Sequence, residues 1–317
     1  MNRHLYKVIF NKVRGLLMVV GEGTKNQAKG TGSERDSKET PAASRSRPFE
    51  AALRPLYFSV LLALGLVAFV PSHAQIVSSS GGPAVDHAQN GVPVVNINTP
   101  SAAGVSHNRY SRFDVEQHGA VLNNSRVSSQ TQLAGWLQGN PNLASSTARV
   151  ILNEVNSQNQ SVLRGYLEVA GVKAQVIVAN PAGVTCDGCG FINASRATMT
   201  TGEPIMTNGR LDGFNVRGGS IRIEGAGLDA TRSDYTDLIA RSVAINAGIW
   251  ANSLHITTGT NRVSADNTHV EAVPASEPDT GPEGSAENSA RPQVAIDVAH
   301  LGGMYANRIV LVNVKEQ

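Results

Sequence analysis

From about residue 92 onward, apolar residues recur in short alternating runs. The runs are Val92 to Ile97, Phe113 to Val115, Ala120 to Leu122, Ala148 to Val155, Gly165 to Val169 and Ala174 to Val178. They continue through Ala197 to Thr201, Ser220 to Glu224, Leu238 to Arg241, Val243 to Asn246, Gly248 to Ala251, Leu254 to Thr257, Val294 to Val298 and Ile309 to Val314. Gly, Asn, Asp, Ser or Pro separates one run from the next, and no segment of ten residues keeps a helical period. Alternation places every second side chain on one face of a strand. Ile221, Ile223, Val243, Ile245, Leu254 and Ile256 repeat the x-Ile/Val/Leu-x-Ile/Val unit with one side inward. Strands this short and this regularly punctuated predict an all-β fold and favour a parallel β-helix, whose rungs bend every few residues. A sandwich or jelly roll is the competing architecture. One stretch departs from alternation: Leu133, Trp136 and Leu137 share a side at helical spacing, which predicts a single helical turn over Gln132 to Gln138, ended by Gly139.

The front of the chain follows a different pattern. Residues 1–22 mix basic and apolar positions and end in the run Leu16 to Val20, which by composition alone reads as an amphipathic helix. Residues 23–47 are polar and lack an apolar period, so they form a linker. Residues 48–74 then read as a signal peptide. Arg45, Arg47 and Arg54 supply positive charge before the run Leu56 to Val70, which falls short of the ~20 residues a membrane helix needs. Pro71 and the small-x-small triplet Ser72, His73, Ala74 follow, predicting cleavage between Ala74 and Gln75. A retained anchor is the alternative, without a second apolar span or basic cluster behind it. At the other end, residues 272–292 are acidic, proline-rich and free of large apolar side chains, which predicts a disordered, solvated loop within a domain spanning 75–317.

Composition agrees with many strands and tight turns: 5% aromatic, 16% charged and 31 glycines. The formal charge of +2 hides an asymmetry. Residues 1–74 hold 11 basic and 5 acidic residues, leaving 16 basic and 20 acidic ones for the remainder. A negative remainder argues against nucleic acid as a partner.

The stretch Asn180 to Asn193 combines a proline turn with the chain's two cysteines. Pro181 presets φ for the second turn position, Asn180 can cap through its side chain, and Gly183 permits the exit. Ala182 in third position disfavours positive φ, so a type I turn is expected. Cys186 and Cys189 lack a helix for a redox site and further ligands for zinc. A local disulfide or a pair of reduced buried thiols remains.

Three motifs occur in order: Asn140, Pro141, Asn142, Leu143; then Asn180 to Gly183 running into Cys186 and Cys189; then Leu301 to Ile309. With them the chain resembles the secretion domain of two-partner secretion exoproteins, the group of filamentous haemagglutinins, haemolysins and contact-dependent growth-inhibition carriers. Met1, Asn2, Tyr6, Lys7, Asn11, Lys12, Arg14 and Gly15 likewise resemble the extended signal region of such exoproteins. The resemblance implies a right-handed parallel β-helix with extra-helical strands and hairpins, behind a disordered or helical signal region. It implies export through the inner-membrane machinery and recognition by the periplasmic domains of a dedicated outer-membrane β-barrel transporter. Folding at the cell surface, and contact with host or neighbouring cells through an adhesin or haemagglutinin, would follow. The Asn140 and Asn180 motifs would carry recognition and nucleation. Ala182 departs from the family's Asn, which bears on any contact such a side chain would make. Family members continue into a long fibre, whereas this chain stops at Gln317, which reads as a truncated gene, a secretion-domain-only product or part of a split locus.

No catalytic motif, cofactor site or metal site is expected. The glycines from Gly218 to Gly227 precede no helix, so they do not read as a phosphate loop. Asp229, Asp234 and Asp237 lie close in sequence and could imitate the carboxylates of the competing class, a secreted β-helical enzyme that degrades polysaccharide, but they read first as solvated turn residues.

Overall fold

The computed structural model describes residues 6–11, 16–21, 76–273, 295–298 and 302–313. The signal cleavage point at Ala74 and Gln75, and nearly all of the loop expected at 272–292, lie outside them. The chain divides into two units, Met1–Phe69 and Val70–Gln317. In the first, Tyr6–Asn11 and Leu16–Gly21 pair as an antiparallel hairpin, with Tyr6 opposite Gly21 and Asn11 opposite Leu16. This corrects the helix expected for residues 1–22: Val8, Ile9, Val19 and Val20 favour extended backbone.

The second unit is a right-handed parallel β-helix with three faces. The first face stacks Val105–Phe113, Val150–Val155, Ala174–Ala179, Ala194–Thr200 and Tyr235–Ala240, all in parallel. The second stacks Pro93–Asn96, Ala120–Asn124, Tyr166–Gly171, and the later halves of Val184–Ile192 and Ser220–Ala230. The third stacks Ser161–Leu163, the first halves of those two long strands, Ser242–Ile245 and Ile296–Val298. Gly248–Thr258 and Gly303–Asn313 run across two faces, pairing with each other along their length. The two runs expected at Gly248 to Ala251 and Leu254 to Thr257 are therefore one strand that turns a corner.

Inward positions stack from rung to rung. Leu163, Cys186, Ile223 and Ile245 form one register column, and Cys189, Leu228, Ile249 and Met304 form another. Val178, Met199, Leu238 and Ile256 form a third. All but Met304 are buried in one core, and each such side chain contributes about 1.5–3 kcal/mol. Ile76–Ser78 crosses Val105–Phe113 antiparallel, and Ala84–His87 pairs with Pro93–Asn96 as a hairpin at the same end.

Two antiparallel elements lie outside the coil. Glu203–Thr207, Arg210–Val216, Asn261–Ser264 and Val270–Ala272 form a sheet. Its Phe214, Val216 and Val263 cover Leu152, Ile177 and Ile239 of the first face. Ser129–Thr131 and Gly135–Leu137 form a hairpin where a helical turn was expected. Thr131 replaces the helix with a local turn: its hydroxyl accepts from Ala134 N–H at 3.1 Å and donates to Gly135 C=O at 2.8 Å. Gly135 takes φ +68°, outside the right-handed helical region. Leu133 and Leu137 still share a side, packing toward Val92, Val121 and Ala170, while Trp136 points outward.

Candidate functional site

The two Asn-Pro motifs are built alike. Asn180 ends the strand Ala174–Ala179, is fully buried, and donates its N–H to Thr200 C=O at 2.9 Å. Gly183 N–H closes the turn onto Asn180 C=O at 3.0 Å. The Asn180 side chain binds in two directions. Its Oδ1 accepts from Ala182 N–H at 3.0 Å, and its Nδ2 donates to Asn159 C=O and to Ser161 Oγ, both at 2.9 Å. Ala182 keeps negative φ, as type I requires. Gly183 takes φ +121°, and a Cβ there would stand 3.1 Å from Ser220 O.

At Asn140 the same wiring recurs. Leu143 N–H reaches Asn140 C=O at 3.1 Å, and Asn140 Oδ1 accepts from Asn142 N–H at 2.9 Å. Asn140 Nδ2 donates to Ile97 C=O and Asn123 C=O, both at 2.9 Å. This ties the end hairpin to the second face. Leu143 is buried in the main core. The third positions differ: Asn142 Nδ2 reaches Asn96 and Ile97 carbonyls at 3.3 and 3.2 Å, whereas Ala182 is half-buried and has no such group.

Cys186 and Cys189 are joined by a disulfide with Cα atoms 5.3 Å apart. Both face the core, Cys186 between Leu163 and Ile223 in one of the columns described above and Cys189 at the start of another. Between them the register against Ser220–Ala230 shifts, with Asp187 opposite Glu224 and Cys189 opposite Leu228. The bond thus staples a bulge where one strand leaves the third face for the second. Gly219, which sequence reasoning did not single out, takes φ +73°, and a Cβ there would meet Pro181 O at 2.5 Å. The contact joins segments far apart in sequence, and a positive φ is written in sequence only as the ambiguous pair Gly218-Gly219.

The three aspartates do not converge. Asp229 accepts from the Tyr166 hydroxyl at 2.7 Å and from Thr231. Burial raises its pKa, but the bonds from Thr231 and Tyr166 prevail and hold it below the usual value. Asp234 pairs with Lys173 at 3.0 Å in solvent. Asp237 is buried beside Thr198, Asn267 and Arg196, and desolvation pushes its pKa up despite the opposing Arg196 charge. They share no partner, so the carboxylate cluster expected of a lyase is absent at these positions. Among the described residues no group of three His, Cys, Asp or Glu could hold a metal.

A three-faced parallel β-helix with buried Asn-Pro corners places the molecule among β-helical exoproteins. The chain belongs to the TPS (two-partner secretion) secretion-domain family, whose model matches residues 70–317. The Extended Signal Peptide of Type V secretion system matches residues 1–49. The chain is 48% identical over 316 residues to Toxin CdiA of Yersinia pestis, covering 98% of this chain and 9% of the relative. It is 45% identical to tRNA nuclease CdiA-2 of Burkholderia pseudomallei, covering 99% and 10%. With 16S rRNA endonuclease CdiA of Enterobacter cloacae it shares 47% identity, covering 80% and 7%. The chain therefore spans a tenth or less of the length of these relatives. A crystal structure of the filamentous hemagglutinin secretion domain superposes with a TM-score of 0.67 at 34% identity, covering 76% of this chain and 79% of that one. The protein is a secreted or cell-surface exoprotein of a Gram-negative bacterium.

Proposed function

We propose that residues 75–317 are the export and nucleation module of a two-partner exoprotein. Residues 1–22 act as the extended signal region, 23–47 as a linker, and 48–74 as the signal peptide read by the inner-membrane machinery and cleaved before Gln75. In the periplasm a dedicated outer-membrane transporter binds the domain through segments containing Asn140 to Leu143 and Asn180 to Gly183. Outside, the first rungs form and template later ones, so that each rung captures a step of threading.

The observation that carries this reading is the shared wiring of Asn140 and Asn180, whose buried amides fasten successive turns of the coil. The test is to co-express the chain with candidate transporter partners and measure it in the medium. Accumulation outside with a matching partner is expected, and periplasmic retention with every partner would overturn the proposal. N-terminal sequencing of the exported chain should begin at Gln75.

A second reading concerns what the module delivers. The toxin names and the 45–48% identities of these relatives favour a carrier of contact-dependent inhibition over an adhesin. Neighbouring bacteria would then be the contacted surface. The nuclease named in those relatives is not assigned to residues 75–317, and the exported chain should leave tRNA and 16S rRNA intact.

A further inference from the structure

We infer, resting on the export route proposed above, that the Cys186–Cys189 bond is made before the domain folds, by thiol–disulfide exchange with an oxidising protein disulfide of the periplasm. The folded coil closes every later opportunity. Cys186 and Cys189 are 0% and 2% exposed, and both sit in the continuous core. Their strand, Val184–Ile192, has parallel partners on both edges: Ser161–Leu163 and Tyr166–Gly171 on one side, Ser220–Ala230 on the other. An oxidant must bring its own sulfurs into line with an attacking thiolate. No free edge of this strand offers that approach, so neighbouring rungs would have to open together, which is close to global unfolding. The coil also has room for reduced cysteines: Cys186 Sγ lies 3.2 Å from Gly227 C=O, an acceptor for a thiol. A chain that folded first would therefore hold its thiols out of reach.

Before folding, the same pair is an open substrate. Only Asp187 and Gly188 separate the cysteines, so their thiols meet readily in an extended chain. The cytosol keeps thiols reduced, which leaves periplasmic transit as the window. One cysteine thiolate attacks the oxidant's disulfide, forming a mixed disulfide and releasing one of the oxidant's thiols. The other cysteine's thiolate then attacks its neighbour's sulfur in the mixed disulfide, closing the Cys186–Cys189 bond and expelling the oxidant's second thiol. Two electrons and two protons pass to the oxidant, which leaves as a dithiol. Gly188, at φ +82°, supplies the left-handed residue that this small ring contains. The ring is no bulkier than a tight turn, so the chain on either side stays extended for threading. It also arrives outside with its corner already bent, Cys186 set to face Ile223 and Cys189 to face Leu228.

The test follows the full chain in cells by pulse labelling and acid quenching, with free thiols counted by a maleimide-linked polymer and folding read as protease resistance. In cells without a partner transporter, both thiols should be lost before a protease-resistant core appears. In cells lacking their periplasmic thiol oxidase, the protease-resistant chain should keep two free thiols. Recovered and left folded, that chain should react with oxidised glutathione at least about a hundredfold more slowly than in urea. A reduced chain that never becomes protease-resistant would support the same order, by making the bond a precondition of folding. Wild-type cells holding a protease-resistant chain with two free thiols that later disappear would overturn the inference, as would equal oxidation rates folded and in urea. With a matching transporter, the earliest exported chain should already be oxidised; reduced chain that oxidises only in the medium would also overturn it. Failure of export with every partner would overturn the export route alone, because the order of oxidation and folding is read in the periplasm.

Discussion

At the residue scale, substitutions at the two Asn-Pro corners allow backbone shape and recognition to be tested separately. Asn180 is fully buried and each of its polar side-chain atoms has a partner. Asn180→Ala leaves Asn159 C=O, Ser161 Oγ and Ala182 N–H without that side chain, which should cost about 1–3 kcal/mol, read as a lower melting temperature by circular dichroism. Ala182→Asn changes a half-buried position whose backbone is already held by Asn180. Stability should stay within about 0.5 kcal/mol and export should be unchanged; a severalfold rise in export would put recognition on the side chain. Asp237 gives a pH signature. Its folded pKa is raised, chiefly by burial, so the folded state holds its proton more firmly than the unfolded chain does. Stability from this group is therefore greatest at low pH and falls as pH rises from the unfolded carboxyl value through the folded one. Melting temperatures across that window should fall less steeply in Asp237→Asn than in wild type; equal slopes would show that Arg196 and Asn267 fully offset the burial.

At the element scale, the disulfide and the hairpins show what sequence could and could not carry. Cys186 and Cys189 close a loop of a few residues, so the chain-entropy contribution is only about 2 kcal/mol. Replacing both by Ala should lower stability by roughly that amount in chemical denaturation, plus a cavity cost from losing two sulfurs in buried columns. The strand Ser242–Ile245 and the first half of Ser220–Ala230 were legible because Ile221, Ile223, Val243 and Ile245 alternate inward and are all buried. Val105–Phe113 was largely missed, since Ser106 and Asn108 are polar yet buried and hydrogen-bonded to each other. The outer sheet was missed for a related reason: Glu203–Thr207 contains Pro204 and is mostly exposed or half-buried, so it carries little alternation. The hairpin at Ser129 to Leu137 was misread because Leu133 and Leu137 satisfy helical and hairpin spacing equally well. The proline corners were legible as turns, but their partners were not, because Asn123, Asn159 and Gly219 reach them only through the coil.

At the scale of the whole molecule, a coil whose rungs contact only their neighbours has a stability that varies along its axis. The strands Val150–Val155, Ala174–Ala179 and Ala194–Thr200 have a parallel partner on both edges and lie over the continuous core. Gly303–Asn313 pairs with Gly248–Thr258 along one edge, and among the described residues no strand takes the other. Its Tyr305, Ile309 and Leu311 are 60%, 40% and 50% exposed. Opening that strand exposes little further apolar surface, so its amides should exchange through local opening while those of residues 150–200 await near-global unfolding. Hydrogen exchange followed by mass spectrometry on the exported chain should show residues 303–313 exchanging on the order of tenfold faster or more, a difference of about 1.4 kcal/mol or above. The same gradient is what vectorial folding needs, because a firm early rung must exist before a later one can dock. Uniform protection from 76 to 313 would mean that the coil folds as one cooperative block, and the rung-by-rung account of export would lose its physical basis.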